Sequence, residues 1–368
     1  MRTERIVVIY QVSSDAKEIE ARARGIAIEQ SVECPMEAIA DQRIIDEIVG
    51  EVLAIRETAA GVFEVRIGLA AETAPPEPTQ LINMLFGNSS LQPGITLQDA
   101  ILPASYAAAF GGPRVGIEGL RKLCRAENRA FTASALKPQG IPSADLAKLA
   151  GEIALGGLDI IKDDHGIADQ AYSPFAERAR LCAGAVRKAN ASSGGHTLYV
   201  PHVSGSLDLM RAQLKIARDE GIQMVMIAPM LVGLASFHQI VKEAAGIAVL
   251  AHPALGGASS IAPPFLFGKL FRLLGADVSV FPNYGGRFAY AKETCRQLVE
   301  AALLPWEGMK GTVPSPAGGM TLQRIPELLD FYGRDCVLLI GGSLLSNRDR
   351  LTEESALFAK KVKDHVQA

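Results

Sequence analysis

Four ionisable side chains stand in consecutive positions at Lys162-Asp163-Asp164-His165, directly after Ile160 and Ile161. The pattern permits two interpretations. The first is an ion pair at the end of a buried strand. The second is a metal site in which Asp164 supplies oxygen and His165 supplies nitrogen. In that case CO2 would convert Lys162 from a cation into an anionic carbamate ligand for Mg²⁺. The spacing alone does not decide between them.

Acid–base chemistry is also open to Lys137, His202 and His252. A lysine that is partly desolvated near cations has a lowered pKa and acts as a general base, whereas a lysine before a proline is often an ordinary surface residue. His252 is a proton carrier, a hydrogen-bond donor to a substrate, or a core histidine with internal partners. His202 is a weaker candidate of the same kind.

Two glycine pairs, Gly318-Gly319 and Gly341-Gly342, follow the last two apolar runs of the chain. Glycine lets backbone N–H groups close on phosphate oxygens, assisted by a helix N-terminus. Each pair alone is typical of a turn. After the seventh and eighth strands of a barrel, however, they occupy the place where such barrels bind phosphate, and we expect a phosphate site there.

Eight short apolar runs alternate with amphipathic stretches in the second part of the chain. The runs begin near Phe131, Gly157, His196, Met224, Ala248, Val278, Thr312 and Cys336. This alternation predicts a (β/α)8 barrel, whose catalytic groups collect at the C-terminal ends of the strands. Polar residues follow seven of the eight runs, and Met230 after the fourth is the exception. An open doubly wound sheet is the alternative, but no G-x-G-x-x-G motif follows any strand.

The first part of the chain predicts a smaller α+β domain. A strand, a helix, a hairpin about Gly61 and a second helix are expected at Arg5–Val12, Asp15–Glu29, Gly50–Leu69 and Thr79–Phe86. We therefore place an N-terminal domain at residues 1–120 and the barrel at residues 121–368.

Composition argues against several classes of partner. The net charge is −3 and no dense run of Lys or Arg occurs, so we expect neither nucleic acid nor a membrane surface as partner. No stretch of apolar residues is long enough to span a membrane. The five cysteines are scattered without C-x-x-C spacing, which favours free thiols over a zinc site. With no signal-peptide layout at the N-terminus, a cytoplasmic location is expected.

These motifs resemble those of the ribulose bisphosphate carboxylase/oxygenase (RuBisCO) superfamily, specifically its non-fixing, RuBisCO-like form IV branch. Ala135–Pro138 resembles the strand-one motif whose lysine handles the proton in enolisation, and Gly156–Asp164 resembles the metal motif. His252 matches the strand-five histidine, and the two glycine pairs match the first phosphate site. The resemblance implies an α/β protein in which a small ferredoxin-like domain precedes a C-terminal TIM barrel.

The resemblance also implies a cofactor and a partner. The cofactor is Mg²⁺, held by a carbamate formed from CO2 on Lys162, by Asp164 and by His165. Asn88 falls where the family's asparagine reaches the active site of a neighbouring subunit, and Glu29 falls at the position of an active-site glutamate. We therefore expect a homodimer whose active sites are shared between subunits.

Several positions depart from the CO2-fixing pattern. His165 stands where the metal motif usually has a glutamate. Pro253 replaces an arginine, Val280-Phe281-Pro282 lacks a histidine, and Ala317 replaces a serine. Those three missing groups hold the second phosphate of a bisphosphate, so a substrate with one phosphate is expected. The segment Tyr284-Gly285-Gly286-Arg287 lacks the lysine that stabilises newly fixed CO2, so carboxylation is not expected.

The expected function is a Mg²⁺-dependent enolisation of a sugar monophosphate, with isomerisation of 5-methylthioribulose 1-phosphate as the preferred reaction. Form IV proteins include enolases and isomerases of methionine salvage, and decarboxylases of phosphorylated sugar acids. The salvage enolases use a lysine that Ser89–Gly94 lacks, which disfavours that activity. The alternatives are decarboxylation of a 3-oxo sugar-acid phosphate and a non-catalytic role in sulfur metabolism or stress response.

Overall fold

The computed structural model describes residues 4–286, 288 and 290–365. The chain divides into two compact units. The first runs up to Gly111 and includes Gly256–Leu266 and Trp306–Met309, and the second comprises Gly112–Leu255, Phe267–Pro305 and the chain from Lys310 onward. Among the described helices, none combines the length and the apolar character that crossing a membrane requires.

The first unit contains a four-stranded antiparallel sheet in the order β2-β3-β1-β4. Its elements are β1 (Arg5–Ser13), α1 (Ile19–Glu29), β2 (Glu51–Ala59), β3 (Val62–Ala70), α2 (Pro78–Phe86), β4 (Ile95–Ile101) and α3 (Ala104–Ala108). The order β1-α1-β2-β3-α2-β4 is the ferredoxin-like arrangement, as predicted. The strand β4 is an addition to the sequence prediction, and it pairs with β1 through a register shift at Ile9 and Tyr10.

Alternate side chains are buried along β1, one of the two inner strands of this sheet. In β1 the side chains of Ile6, Val8, Tyr10 and Val12 are buried while their neighbours are more accessible. The Tyr10 hydroxyl donates a hydrogen bond to the carbonyl of Leu85 at 2.6 Å, which fixes α2 against the sheet.

The second unit is built on eight parallel strands. They are β5 (Phe131–Leu136), β6 (Ile160–Asp163), β7 (Leu198–Val200), β8 (Met224–Ile227), β9 (Ala248–Ala251), β10 (Val278–Pro282), β11 (Val313–Ala317) and β12 (Val337–Leu339). The order β7-β6-β5-β12-β11-β10-β9-β8 is that of a (β/α)8 barrel. A parallel bridge between His202 and Met226 joins the two outermost strands. The predicted fold class is therefore confirmed, and each of the eight predicted apolar runs contains one strand.

Helices separate the strands of the second unit. They are α4 (Gly116–Cys124), α5 (Ser143–Leu155), α6 (Phe175–Ser193), α7 (Leu207–Asp219), α8 (Pro229–Val232), α9 (Leu234–Glu243), α10 (Phe271–Leu273), α11 (Lys292–Leu303), α12 (Ile325–Tyr332), α13 (Gly342–Leu345) and α14 (Leu351–Asp364). The segment after β9 departs from a regular α-helix, because a π-helical stretch at Pro264–Leu270 precedes the short α10.

Alternate residues of the strands form the core of the barrel. This cluster includes Phe131, Ala133, Ile160, Leu198, Val200, Met224, Met226, Ala248, Leu250, Val278, Val280, Val313, Val337 and Leu339. Side chains of a strand alternate between its two faces. In β6, therefore, Ile160 and Lys162 belong to the inner face of the barrel, whereas Ile161 and Asp163 belong to the outer face.

Asp163 anchors the end of β6 to α6. Its fully buried carboxylate accepts hydrogen bonds from Arg178 Nε at 2.9 Å, from Tyr199 Oη at 2.8 Å and from the backbone N–H of His202 at 3.1 Å. Arg178 also donates to the carbonyl oxygens of Ser173 and Ala168, each at 2.6 Å. These contacts hold β6, β7 and the start of α6 in one arrangement.

We predict that Arg178→Met destabilises the protein, because it leaves the Asp163 carboxylate buried without its cation. The expected loss in the free energy of unfolding is about 3–5 kcal/mol, measured by urea denaturation. The control is Arg180→Met on the exposed face of the same helix, for which a change within about 0.5 kcal/mol is expected. Equal effects of the two substitutions would contradict the anchoring role of Arg178.

Candidate active site

Lys137, Lys162 and Asp164 come together at the C-terminal ends of β5 and β6. The two strands pair in parallel with Ala135 opposite Lys162, so Lys137 follows on the neighbouring strand. Lys137 Nζ donates a hydrogen bond to Asp164 Oδ2, and the other oxygen of Asp164 accepts the N–H of Gly166 at 3.1 Å. The Lys137 side chain is 41% exposed, whereas that of Asp164 is 5% exposed. The ammonium group therefore lies over a carboxylate that is almost closed off from solvent.

Burial changes the protonation chemistry of this group of residues. Desolvation of the buried Lys162 lowers its pKa to about 8. The nearby charge of Lys137 also lowers this pKa, whereas the charges of Asp164 and Asp163 raise it. The Lys162 Nζ donates to the backbone carbonyl of Asp163 at 2.9 Å. Burial raises the pKa of Asp164, but hydrogen bonds from Lys137 and Gly166 outweigh burial and leave it below its usual value. A buried lysine whose pKa is lowered thus lies at the C-terminal end of β6 together with a carboxylate whose pKa is also lowered.

His165 and His252 stack on each other next to these residues. Their ring centroids are 4.2 Å apart with an interplanar angle of 14°. Burial, followed by the neighbouring lysine charges, lowers the pKa of His252 well below its usual value. Burial also lowers the pKa of His165, although Asp164 opposes the change. Since the N–H of Ala254 donates to His252 Nδ1 at 3.2 Å, the neutral His252 ring carries its proton on Nε2.

His202 is buried and fixed by its surroundings. Its Nδ1 lies 3.1 Å from the carbonyl oxygen of Ile167, which only accepts, so Nδ1 carries the proton. Burial lowers its pKa to about 4. Its backbone N–H binds Asp163, as described above, and its Nε2 has no hydrogen-bond partner in the described part of the chain. His202 therefore contributes to closing and ordering the barrel.

Lys162, Asp164 and His165 are a suitable set of ligands for a divalent cation only if Lys162 carries a carbamate. Among the described residues, no three His, Cys, Asp or Glu side chains meet as a ready metal-binding group. Asp164 and His165 are adjacent, with Oδ1 and Nδ1 3.6 Å apart, and provide one anionic oxygen and one nitrogen. A carbamate on Lys162 would add a second anionic oxygen donor, and oxygen donors are those that Mg²⁺ prefers. The donor set is therefore compatible with Mg²⁺ only when Lys162 is modified.

The predicted phosphate-binding glycines follow neighbouring strands. Ala317 of β11 pairs with Leu339 of β12, so the loops after these strands are adjacent. A Cβ atom built on Gly341 would lie 4.0 Å from Lys137 Cε, which places that loop beside the proposed base. No backbone N–H of Gly318, Gly319, Gly341 or Gly342 donates a backbone hydrogen bond to another described residue. These donors are therefore available to an anionic ligand.

Glu29 and Asn88 form a separate cluster in the first unit. Asn88 Nδ2 donates to Glu29 Oε1 at 2.9 Å and to Glu33 Oε1 at 3.0 Å. The buried Gln30 sets this geometry, because its Oε1 accepts the N–H of Ser89 at 3.1 Å while its Nε2 donates to the end of α2. The structure thus brings the two predicted residues together, 59 positions apart in sequence.

Two sets of residues were not predicted from the sequence. One comprises Arg178 and Tyr199, which orient the end of β6 through Asp163. The other comprises Arg324 and Glu327, beside the glycines that follow β11. None of these four residues belongs to a recognisable local motif, and their roles depend on contacts between separate elements. Arg287, part of the segment assigned after the sixth strand, lies outside the described residues.

Comparison with known proteins identifies relatives over nearly the whole chain. The family model of the ribulose bisphosphate carboxylase large chain, catalytic domain, matches residues 116–281. Ribulose bisphosphate carboxylase-like protein 1 of Rhodopseudomonas palustris is 59% identical over 99% of each chain. A protein named 5-methylthioribulose-1-phosphate isomerase, from Rhodospirillum rubrum, is 53% identical over 98% of this chain and 96% of its own length.

The fold agrees with these sequence relationships. The crystal structure of a RuBisCO-like protein from Rhodopseudomonas palustris superposes with a TM-score of 0.93, at 58% identity and 99% coverage of both chains. The matched regions span nearly the whole of both chains. The chain therefore belongs to the RuBisCO-like proteins of the RuBisCO large-chain superfamily.

Proposed function

We propose that this protein is an isomerase that acts on 5-methylthioribulose 1-phosphate by enolisation and does not fix CO2. The observation that carries the proposal is the group formed by Lys137, Asp164 and the stacked His165 and His252 at one end of the barrel. It combines a candidate base, a carboxylate and a neutral donor within one site. The relative from Rhodospirillum rubrum that bears the name of this activity supports the choice of substrate.

In the proposed mechanism Lys137 moves the proton. Its Nζ donates to Asp164, so this contact has to open and the ammonium has to release a proton to solvent. The neutral amine then takes a proton from the carbon beside the substrate carbonyl, and a proton returned to the neighbouring carbon completes the isomerisation. His252 presents its Nε2–H as a donor to a substrate oxygen and remains neutral because it is buried. The N–H groups of Gly318, Gly319, Gly341 and Gly342, which make no backbone hydrogen bond to a described residue, hold the single phosphate.

The proposed cofactor is Mg²⁺. The carbamate of Lys162, Asp164 and His165 would hold it, and when bound it supplies positive charge that polarises the carbonyl and stabilises the enediolate. Asp163 does not take part, since Arg178, Tyr199 and the His202 backbone already occupy its carboxylate. Its role is to keep Lys162 and Asp164 on the inner face.

The test of the function is incubation of the purified protein with 5-methylthioribulose 1-phosphate, Mg²⁺ and bicarbonate in D2O. We expect an isomeric product that contains solvent deuterium, without release of CO2, measured by NMR and mass spectrometry. With a 3-oxo sugar-acid phosphate as substrate, release of CO2 would instead identify the decarboxylase. No turnover of either substrate would favour the non-catalytic alternative.

A substitution of Lys137, compared with a control substitution on α5, tests whether this lysine is the base. We expect Lys137→Met to lower kcat by about 10²–10⁴-fold, the range for loss of a general acid–base group. Lys148→Met, an exposed lysine on α5, serves as the matched control and should leave kcat unchanged. An active Lys137→Met protein would exclude the lysine as the base.

The pKa of Lys162 predicts how activation depends on pH. Only the neutral amine reacts with CO2, and below a pKa of about 8 the amine is mostly protonated. At a fixed concentration of dissolved CO2, activation should therefore increase from pH 7 to pH 9 with its midpoint near pH 8. Mass spectrometry of the trapped carbamate gives a measurement independent of turnover. Lys162→Arg, which keeps the charge but forms no carbamate, should remove activation at every pH.

We also propose a homodimer in which the cluster of Glu29 and Asn88 completes the barrel site of the other subunit. Lys137→Met and Asn88→Ala would then each inactivate a different part of the shared site. Co-expression of the two variants should restore about a quarter of the wild-type activity, because half of the dimers are mixed and each mixed dimer has one intact site. Failure to restore activity, with mixed dimers verified by tag purification, would contradict a shared site.

The proposed setting is the cytoplasm. All five cysteines are free thiols, and four of them, Cys124, Cys182, Cys295 and Cys336, are buried. Unpaired thiols persist in a reducing compartment. A phosphorylated metabolite as substrate agrees with that location.

A further inference from the structure

Arg324 joins the two loops that follow β10 and β11. It ends a short 3-10 turn, Leu322–Arg324, just before α12. Its Nη1 donates to the carbonyl oxygen of Gly319 at 3.2 Å and makes a longer contact of 3.5 Å with that of Tyr284. One guanidinium nitrogen therefore binds a backbone carbonyl from each loop.

Glu327 fixes the orientation of this guanidinium. Its carboxylate accepts from Arg324 Nε at 3.2 Å and from Nη2 at 3.1 Å, and it also accepts from the Tyr284 hydroxyl at 2.9 Å. The Arg324 Cζ lies 5.2 Å from the centre of the Tyr284 ring. The positive charge of Arg324 is thus paired, and its planar set of donors is held in a single geometry.

The same two loops touch through glycine backbones. A Cβ atom on Gly286 would lie 2.7 Å from the carbonyl oxygen of Gly318, and one on Gly319 would lie 2.4 Å from Gly286 Cα. Gly319 also has a φ of +64°, which other residues adopt at a cost. No side chain fits between the loops, so the position of one loop depends on the other.

This contact decides where the neighbouring N–H groups point. In a planar trans peptide the C=O and N–H groups face opposite sides. The carbonyl of Gly319 points to Arg324, so the N–H of Met320 points away from it. The carbonyl of Gly318 faces Gly286, so the N–H of Gly319 points away from that loop. Neither N–H donates a hydrogen bond to another residue that the structure describes.

We propose that Arg324 is a positioning residue for the substrate phosphate. By holding the Gly319 carbonyl and the loop at Tyr284, it turns the N–H groups of Gly319 and Met320 towards the anion. It acts through geometry rather than charge, because Glu327 pairs its charge. The proposal rests on the proposed function in one respect, namely that Gly318 and Gly319 bind the phosphate. A lysine cannot replace Arg324, since a single ammonium does not present the same planar fork of donors.

The experiment compares Arg324→Lys and Arg324→Met with the wild type in two measurements. The first is KM and kcat for 5-methylthioribulose 1-phosphate, and the second is the Kd of inorganic phosphate by calorimetry, which requires no turnover. We expect both variants to raise KM and Kd by about tenfold, the effect of losing one hydrogen bond from a backbone N–H to the charged phosphate. The value of kcat should change by less than about twofold. Arg211→Lys, which alters an exposed arginine paired with Glu243 and Asp208, should change none of these values.

The outcomes separate positioning from other roles. If Arg324→Lys retains wild-type values while Arg324→Met loses affinity, the charge itself binds phosphate and positioning is overturned. Unchanged phosphate affinity in both variants, or a fall in kcat alone, also overturns it. Glu327→Gln is the second variant, and we expect a smaller loss of phosphate affinity, even if the arginine variants do not fold. If the variants bind phosphate more weakly than the wild type but the wild type does not turn over 5-methylthioribulose 1-phosphate, the positioning role is supported and the proposed isomerase activity is refuted.

Discussion

The arrangement of the site depends on the buried carboxylate of Asp163. A carboxylate buried without partners would be very costly, and here Arg178, Tyr199 and the His202 backbone N–H share it. These partners lie on α6 and β7, so the carboxylate faces outward. Strand alternation then leaves Lys162 and Asp164 on the inner face. The Asp163 carboxylate thereby fixes the positions of Lys162 and Asp164, two of the residues that the proposed chemistry uses.

The inner face combines charge and desolvation in a way that suits enolisation. Lys162 is buried, which favours its neutral amine, while Asp164 stays ionised because Lys137 and Gly166 donate to it. The stacked histidines beside them are held neutral by burial. The site thus combines a lysine whose pKa is lowered, an ionised carboxylate and two neutral imidazoles at one end of the barrel. In the proposed site the glycine loops after β11 and β12 contribute N–H groups that donate to no described residue, and we propose that Arg324, held by Glu327, sets the direction of those after β11.

Much of this arrangement was predictable from local pattern. The eight apolar runs gave the barrel strands, and the strand ends gave Lys137, Lys162, Asp164, His165 and His252 as candidates, because parallel strands of a barrel end at one face. The strand β4 was missed: Ile95–Ile101 includes Gln98 and Asp99 and has no strong alternation, and it is stabilised by pairing with β1. Arg178 and Arg324 were missed because nothing in their local sequence distinguishes them from surface arginines.

The sequence by itself determined the fold class, the family resemblance and the types of group available at the strand ends. Those properties follow from hydrophobic period and from motif spacing, which are local along the chain. Only the tertiary structure decided which partners hold Asp163 on the outer face, which histidines are neutral, and that Glu29 meets Asn88. Each of these depends on burial and on hydrogen bonds between residues far apart in sequence. Desolvation and partner geometry are properties of the packed molecule, so no local pattern contains them.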